Sequence, residues 1–287
     1  MKTFLLFNSP IYWKPTDDLE NYLPPFGLGY IATYLEKSGT YVELIDSVKK
    51  RLGAEEIIKI IETKAPDFIG INIFTQNYDI VKFIIENINL KCIAFIGGQV
   101  VKSIYTDILH WKTKVDLIAI IGEGEYIIPA IVNKTCVETP IQSVVNNKAY
   151  IVNNNSIYFP KNISDIKINR EYLSDEIIIN HYGEKEASII TSRGCPYNCA
   201  FCGGARSLNL DIAIRNRTEE SISNEISEIL SIYPEVSSIR ILDDLFLKNR
   251  SSFISAYNIF GKFTNISWRG MIHTLSLLNS SDLINIL

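Results

Sequence analysis

Three cysteines, Cys195, Cys199 and Cys202, fall within eight residues in the run Thr191-Ser-Arg-Gly-Cys-Pro-Tyr-Asn-Cys-Ala-Phe-Cys202. The C-x3-C-x2-C spacing curls three thiolates towards one point at the end of an apolar segment. Three is one short of the four sulfurs that close a structural zinc site or saturate an ordinary iron–sulfur cube. A cluster held by three cysteines keeps one iron open to a further ligand. The same residues also allow a zinc site with His181 as fourth ligand, or three unligated thiols.

A second group of chemistry-bearing residues follows in the chain. Asp243 and Asp244 end a predicted strand over 238–242, a position where functional groups gather in barrel folds. Their alternatives are a ligand's amino group and, for Asp244, a helix cap. Arg217 and Arg269 are candidates for a carboxylate, with an exposed loop arginine as the alternative. In the first half, Gly97-Gly98 and Gly122-Glu123-Gly124-Glu125 each follow an apolar strand. Glycine there permits close approach of a ligand, or merely a strand–turn–helix hinge. Cys92 reads as core and Cys136 as structural.

Positioning these groups requires a βα scaffold. Residues 1–140 alternate continuous apolar strands with helical patterns: strands over 3–7, 41–45, 67–73, 92–96 and 117–121, and helices between them. Continuous apolar strands imply a parallel sheet covered on both faces, a doubly wound flavodoxin-like or Rossmann-like domain. Ligands in such sheets lie beyond the carboxyl ends of the strands. That edge carries Asn8-Ser-Pro, Asp46-Ser, Phe74-Thr-Gln, Gly97-Gly-Gln and Gly122-Glu-Gly-Glu. Residues 141–186 read as a hairpin with Asn-rich turns and a linker. From 187 to 287 a second βα series supplies about three units, with Thr218 as a predicted N-cap. The last residues, from Ser280, open a new helical pattern.

Bulk properties limit the function classes. The chain has 287 residues, 47% hydrophobic and 21% charged, enough for packed cores. A net charge of −4 leaves no electrostatic footprint for nucleic acid. No apolar run reaches the roughly 20 residues of a membrane span. Five cysteines, three of them crowded together, suit metal binding in a reducing, cytoplasmic setting rather than a disulfide scaffold.

With both halves in view, the chain resembles the cobalamin-binding subgroup of the radical S-adenosylmethionine (SAM) enzymes. The motifs are Cys195-x3-Cys199-x2-Cys202 with Phe201 before the last cysteine, Arg215-Asn-Arg-Thr-x-Glu220, and Ile239-Arg-Ile-Leu-Asp-Asp-Leu-Phe246. Tyr22-Leu-Pro-Pro-Phe-Gly-Leu-Gly-Tyr-Ile-Ala32, Ile96-Gly-Gly98 and Gly122-Glu-Gly-Glu125 are similar to that subgroup's cobalamin domain. The resemblance implies an incomplete TIM-like barrel and a [4Fe–4S] cluster on Cys195, Cys199 and Cys202. It implies SAM on the open iron with Phe201 near the adenine, and cobalamin at Gly97, Gly98, Gly122 and Glu123. An electron donor such as flavodoxin or ferredoxin, and methylation of an unactivated centre, complete the expectation. Tyr12, Trp13, Tyr22 and Phe26 would pack on the corrin or on the second domain. The chain lacks D-x-H-x-x-G, and none of His110, His181 and His273 fits it, so no lower-face histidine is expected. The alternative is a catalytically incomplete cobalamin- or cluster-binding module.

Overall fold

The computed structural model describes residues 1–13, 22–136, 141–153, 157–173, 176–204 and 213–286, without the side chains of 141–143 and 284–286. The chain divides into two compact units, Met1–Pro160 with Lys167–Ser174, and Lys161–Ile166 with Asp175–Leu287.

The first unit alternates strand and helix: β1 (Thr3–Asn8), α1 (Phe26–Lys37), β2 (Tyr41–Asp46), α2 (Ala54–Lys64), β3 (Phe68–Asn72), α3 (Tyr78–Asn87), β4 (Ile93–Gly97), α4 (Val101–Leu109), β5 (Asp116–Gly122) and α5 (Ile127–Val132). A hairpin, β6 (Ile141–Val145) and β7 (Lys148–Asn153), completes it. The sheet order is β2-β1-β3-β4-β5-β7-β6, parallel throughout except for β6. Its first five strands follow the doubly wound flavodoxin order, whose topological switch lies between β1 and β3.

Strand alternation builds both layers. Leu5 and Phe7 of β1 join α2, α3 and α4 through Ile57, Ile61, Ile84 and Ile108. Phe4 and Leu6 face the other way, onto Leu28, Ala32 and Leu35 of α1 and Ile127 and Val132 of α5. Burying each such side chain contributes about 1.5–3 kcal/mol. This two-sided burial is why the strands read as unbroken apolar runs. The hairpin of the segment 141–186 extends this same sheet. β7 lies parallel beside β5, and Asn146 and Asn147 take positive φ, 50° and 61°, to turn between its strands.

The second unit holds β8 (Ile178–Ile179), β9 (Lys185–Ile189), β10 (Ser192–Arg193), β11 (Arg215–Asn216), α6 (Glu219–Ile232), β12 (Ser238–Ile241), α7 (Arg250–Phe260), β13 (Ser267–Arg269) and α8 (Thr274–Leu278). Its main sheet has the order β13-β12-β9-β8, with β9, β12 and β13 parallel. Ala187, Ile189, Ile239 and Ile241 pack on Ile222, Ile226 and Ile229 of α6 and Phe253 and Ala256 of α7. Thr218 caps α6 through Ser221 N at 3.2 Å, as predicted. The predicted strand over 188–192 instead stops at Ile189. The chain then bends, and Ser192 and Arg193 pair with Asn216 and Arg215 in a separate antiparallel ladder. From Ser281 to Ile286 the chain forms a 3-10 helix. Among the described residues, no helix is long and apolar enough to cross a membrane.

Candidate cofactor sites

At the carboxyl edge of the first sheet, each of β1, β2 and β3 ends in a polar residue. Asn8 donates to Asp46 (2.9 Å), Asn72 donates to Asn8 (2.8 Å), and Asn72 accepts from Ser9 N (2.7 Å). Asn77 donates to the buried Ser9 Oγ at 2.6 Å. Asp46 also accepts from Val48 N and Lys49 N at 3.1 Å, and from the Tyr22 hydroxyl at 2.5 Å. This ladder fixes the loops on both sides of the switch point. The sequence signal was a polar residue closing each apolar strand, but only the register of the sheet makes them partners.

The glycines at this edge divide into two kinds. Gly98 has φ +137°, and a Cβ there would lie 2.3 Å from Ile73 O. Gly122 has φ +108°, and its Cβ would meet Asn153 O at 2.9 Å. Both are dictated by the protein's own backbone. A Cβ on Gly97 would meet nothing within 4 Å, so open space adjoins the chain at that point. Asn153, from the added hairpin, donates to Glu123 O and Tyr158 O and holds the Gly122-Glu123 turn.

Tyr22 and Phe26 are buried within the unit, whereas Tyr12, Trp13 and Phe74 expose 58%, 52% and 44% of their surface beside the switch point. The one histidine of this unit, His110, ends α4 with Nδ1 2.6 Å from Thr106 O. Helix α4 returns the chain from the carboxyl end of β4 to the amino end of β5, so His110 lies at the opposite edge from Gly97.

In the second unit the cysteine loop leaves β10 through Gly194, at φ +86°. Cys195 and Cys199 are partly exposed and Cys202 is exposed, with Cys202 N bonded to Cys199 O at 3.1 Å. Among the described residues, no three His, Cys, Asp or Glu side chains converge as a metal site. Tyr197 stacks on His273 with ring centroids 3.8 Å apart, and its hydroxyl lies 3.3 Å from Ser276 Oγ. His181 packs against Tyr182 with the rings tilted by 42° in the turn before β9. It therefore sits at the amino end of the strand whose carboxyl end leads to the cysteines, about 16 Å of extended chain away. That argues against His181 as a fourth zinc ligand.

The structure engages Asp243 and Arg217 differently from the sequence expectation. Asp243 is buried and accepts from Thr191 N (2.7 Å), Thr191 Oγ1 (2.6 Å), Ser192 N (3.0 Å) and Ser192 Oγ (2.6 Å). It clamps the root of the cysteine loop to the end of β12. Burial raises the pKa of its carboxyl above the usual range, while these four bonds pull it down. Arg217 is neither an exposed loop residue nor open to a ligand. Its side chain is 7% exposed, paired with Glu225 and donating to Ile190 O at 3.0 Å and Ser221 O at 3.0 Å. Arg269 forms a bidentate pair with the fully buried Glu186, at 2.7 and 2.5 Å. Asp244 stays exposed. A Cβ on Gly204 would lie 3.8 Å from Asp244 Oδ1 and 3.6 Å from Cys202 Sγ, so this carboxylate borders the loop. The Phe201 ring is 94% exposed. Sequence reasoning missed Lys248, whose Nζ donates to Ser192 Oγ (2.6 Å) and Asn216 Oδ1 (2.9 Å). Burial lowers its pKa, opposed by Asp243, Cys195 and Asp244. A lysine seven residues past a strand carries no sequence signal of its own.

Against known proteins, residues 14–132 match the B12 binding domain family. That match covers 119 of the 287 residues. The likeness extends beyond it. The chain is 28% identical over 255 residues to an uncharacterized methyltransferase of Pyrococcus horikoshii, covering 85% of this chain and 54% of that protein. It is 26% identical over 219 residues to the hopanoid C-3 methylase of Methylococcus capsulatus, covering 70% and 39%. The chain thus spans about half or less of these relatives' length. The cobalamin-dependent SAM radical enzyme OxsB, solved with aqua-cobalamin bound, superposes with a TM-score of 0.64 at 18% identity, over 93% of this chain and 38% of that one. The radical SAM methyltransferase TsrM of Kitasatospora setae gives 0.57 at 16% identity, over 91% and 51%. The resemblance to cobalamin-binding radical SAM enzymes, and the α/β fold it implies, are borne out.

The residues of the matched region fit a cobalamin-sized ligand. That region's carboxyl edge offers open space beside Gly97 and exposed aromatic rings for the apolar face of a large macrocycle. For the cysteines, the donor set itself, three thiols in one loop, fits a cluster with one open iron.

Proposed function

We propose that this chain is the cobalamin- and cluster-binding portion of a cytoplasmic radical SAM methyltransferase acting on an unactivated carbon or phosphorus. Cys195, Cys199 and Cys202 would hold a [4Fe–4S] cluster, and the B12-binding domain would hold cobalamin without a protein histidine. When bound, these groups supply one-electron cleavage of the SAM sulfonium to a 5′-deoxyadenosyl radical, and a carrier for the methyl group.

The chain's own residues bind and orient. Asp243 fixes Thr191 and Ser192, and so the direction from which Cys195 enters the loop. Tyr197 ties the middle of the loop to α8 through His273 and Ser276. Asp244, exposed beside Cys202, is the carboxylate available to a ligand's amino group, whereas Asp243 has its lone pairs engaged. Phe201 presents an uncovered ring for an adenine to stack on. In the first unit the Asn8–Asp46–Asn72 ladder sets the loops against which the corrin would rest. An external one-electron donor such as flavodoxin or ferredoxin would supply the reducing equivalent.

The observation carrying this reading is the three-thiol loop placed after the carboxyl end of β9, in a chain whose residues 14–132 match the B12 binding domain family. Anaerobic reconstitution followed by iron and sulfide analysis tests the cluster. Zinc without sulfide overturns it. Incubation with SAM and dithionite should then yield 5′-deoxyadenosine. The exposure of Phe201 and Cys202 favours a second reading, a binding module too open to shelter a radical. A full cluster with no 5′-deoxyadenosine selects it.

A further inference from the structure

We propose that Lys248 is a positioning cation for the iron–sulfur site, one that holds a positive charge at the root of the cysteine loop and raises the reduction potential of the cluster. The inference rests on the cluster reading above and deepens it.

Lys248 lies seven residues beyond β12, and its ammonium is drawn inwards rather than into water. Nζ donates to Ser192 Oγ at 2.6 Å and to Asn216 Oδ1 at 2.9 Å. Those two residues face each other across the β10–β11 ladder, from which the loop to Cys195 departs. The ammonium is therefore pinned to both strands that carry the loop, three residues from the first thiol. Its orientation is set from a second side. Ser192 Oγ gives its own proton to Asp243 Oδ2, so its lone pair is turned to Lys248. The order of donors runs Lys248 to Ser192 to Asp243. Both direct acceptors of the ammonium are neutral, and the nearest carboxylate, Asp243, is one hydroxyl away and engaged by Thr191 as well. The charge is thus only partly cancelled, and it acts on Cys195 and Asp244 as well as on Asp243.

A half-buried charge acts through less solvent than a surface one. Reduction adds one electron, taken from a one-electron donor such as dithionite, to a cluster already bearing thiolate charge. A nearby cation stabilises the more negative state, and net charge around a cluster is one of the determinants of its potential. The position also admits a conservative exchange. Gln keeps N–H donors for Ser192 and Asn216 but removes the charge, and Arg keeps the charge.

The test is an EPR-monitored redox titration of the anaerobically reconstituted chain, with dithionite as reductant, on wild type, Lys248→Gln and Lys248→Arg. The expected result is a midpoint potential shifted negative in Lys248→Gln and near the wild-type value in Lys248→Arg. Iron and sulfide content and circular dichroism should match in all three. If Lys248→Gln does not fold, Asn216→Asp, which sets a carboxylate against the ammonium from an exposed position, should shift the potential the same way. A wild type holding a [4Fe–4S] cluster whose potential is unmoved by either variant overturns the role of Lys248 alone. Loss of the cluster from a folded Lys248→Gln also overturns it, because it assigns the residue to assembly. A wild type that takes up no [4Fe–4S] cluster overturns the cluster reading, and this inference with it.

Discussion

Gly97 and Gly98 are adjacent, yet their sensitivities should differ sharply. Gly98→Ala forces a Cβ to within 2.3 Å of a backbone carbonyl at φ +137°. It should cost about 1–3 kcal/mol in a denaturant titration, the range for strain at a special backbone conformation. Gly97→Ala meets no atom within 4 Å, should fold with near wild-type stability, and should weaken cobalamin retention after gel filtration. Equal stability losses in the two variants would count against the open cradle. Cys92 gives a pH-dependent marker. Burial pushes its thiol up to about 11. The reactive thiolate is then scarce below pH 9, and iodoacetamide labelling of Cys92 in the native protein should rise only as pH climbs towards 11. The same raised pKa means that this site's contribution to stability is complete below the thiol's ordinary pKa near 9 and is lost as pH passes through 11. Fast labelling at pH 8 without denaturant contradicts this burial.

Elements are held by contacts that a linear reading cannot pair. Arg217 and Glu225 join the entry of α6 to its second turn, both side chains nearly buried. Arg217→Met removes the guanidinium from a nearly buried pair, and a loss of about 3–5 kcal/mol is expected from thermal or chemical denaturation. A loss below 1 kcal/mol would mean that the pair is solvated. The βα alternation of the first unit was readable because each central strand is covered on two faces and so is almost wholly apolar, whereas in the second unit β12 alternates Ile239 and Ile241 with Ser238 and Arg240. The candidate glycines and the three cysteines were readable because their types and spacing are local. The fate of Asp243 was not, since its partners Thr191 and Ser192 lie 52 and 51 positions away. Nor was the attachment of the hairpin to the first sheet. The alternating burial of β7 marks a strand but does not say which sheet receives it. The segment 161–174 reads as a linker, yet its two halves belong to different units.

At the scale of the whole chain, the region that matches the B12 binding domain family has one histidine, His110, at the wrong edge of the sheet to reach a ligand beside Gly97. Reconstituted cob(II)alamin should therefore show an EPR spectrum without nitrogen superhyperfine splitting from the protein. His110→Ala should leave that spectrum unchanged. Splitting that vanishes in His110→Ala would overturn the topology argument.

The clamp between Asp243 and the root of the cysteine loop also bears on the order of events in biosynthesis. At synthesis rates of about 5–20 residues per second, the 51 residues separating Ser192 from Asp243 take roughly 3–10 s to appear. During that interval the thiols exist on a loop whose anchor has not yet been made. The first unit, translated earlier, can already be folded. Under the proposed cluster reading, an anchored loop would be on offer to iron only after β12 has docked beside β9. Any metal captured sooner would meet three thiols without the anchor that orients them.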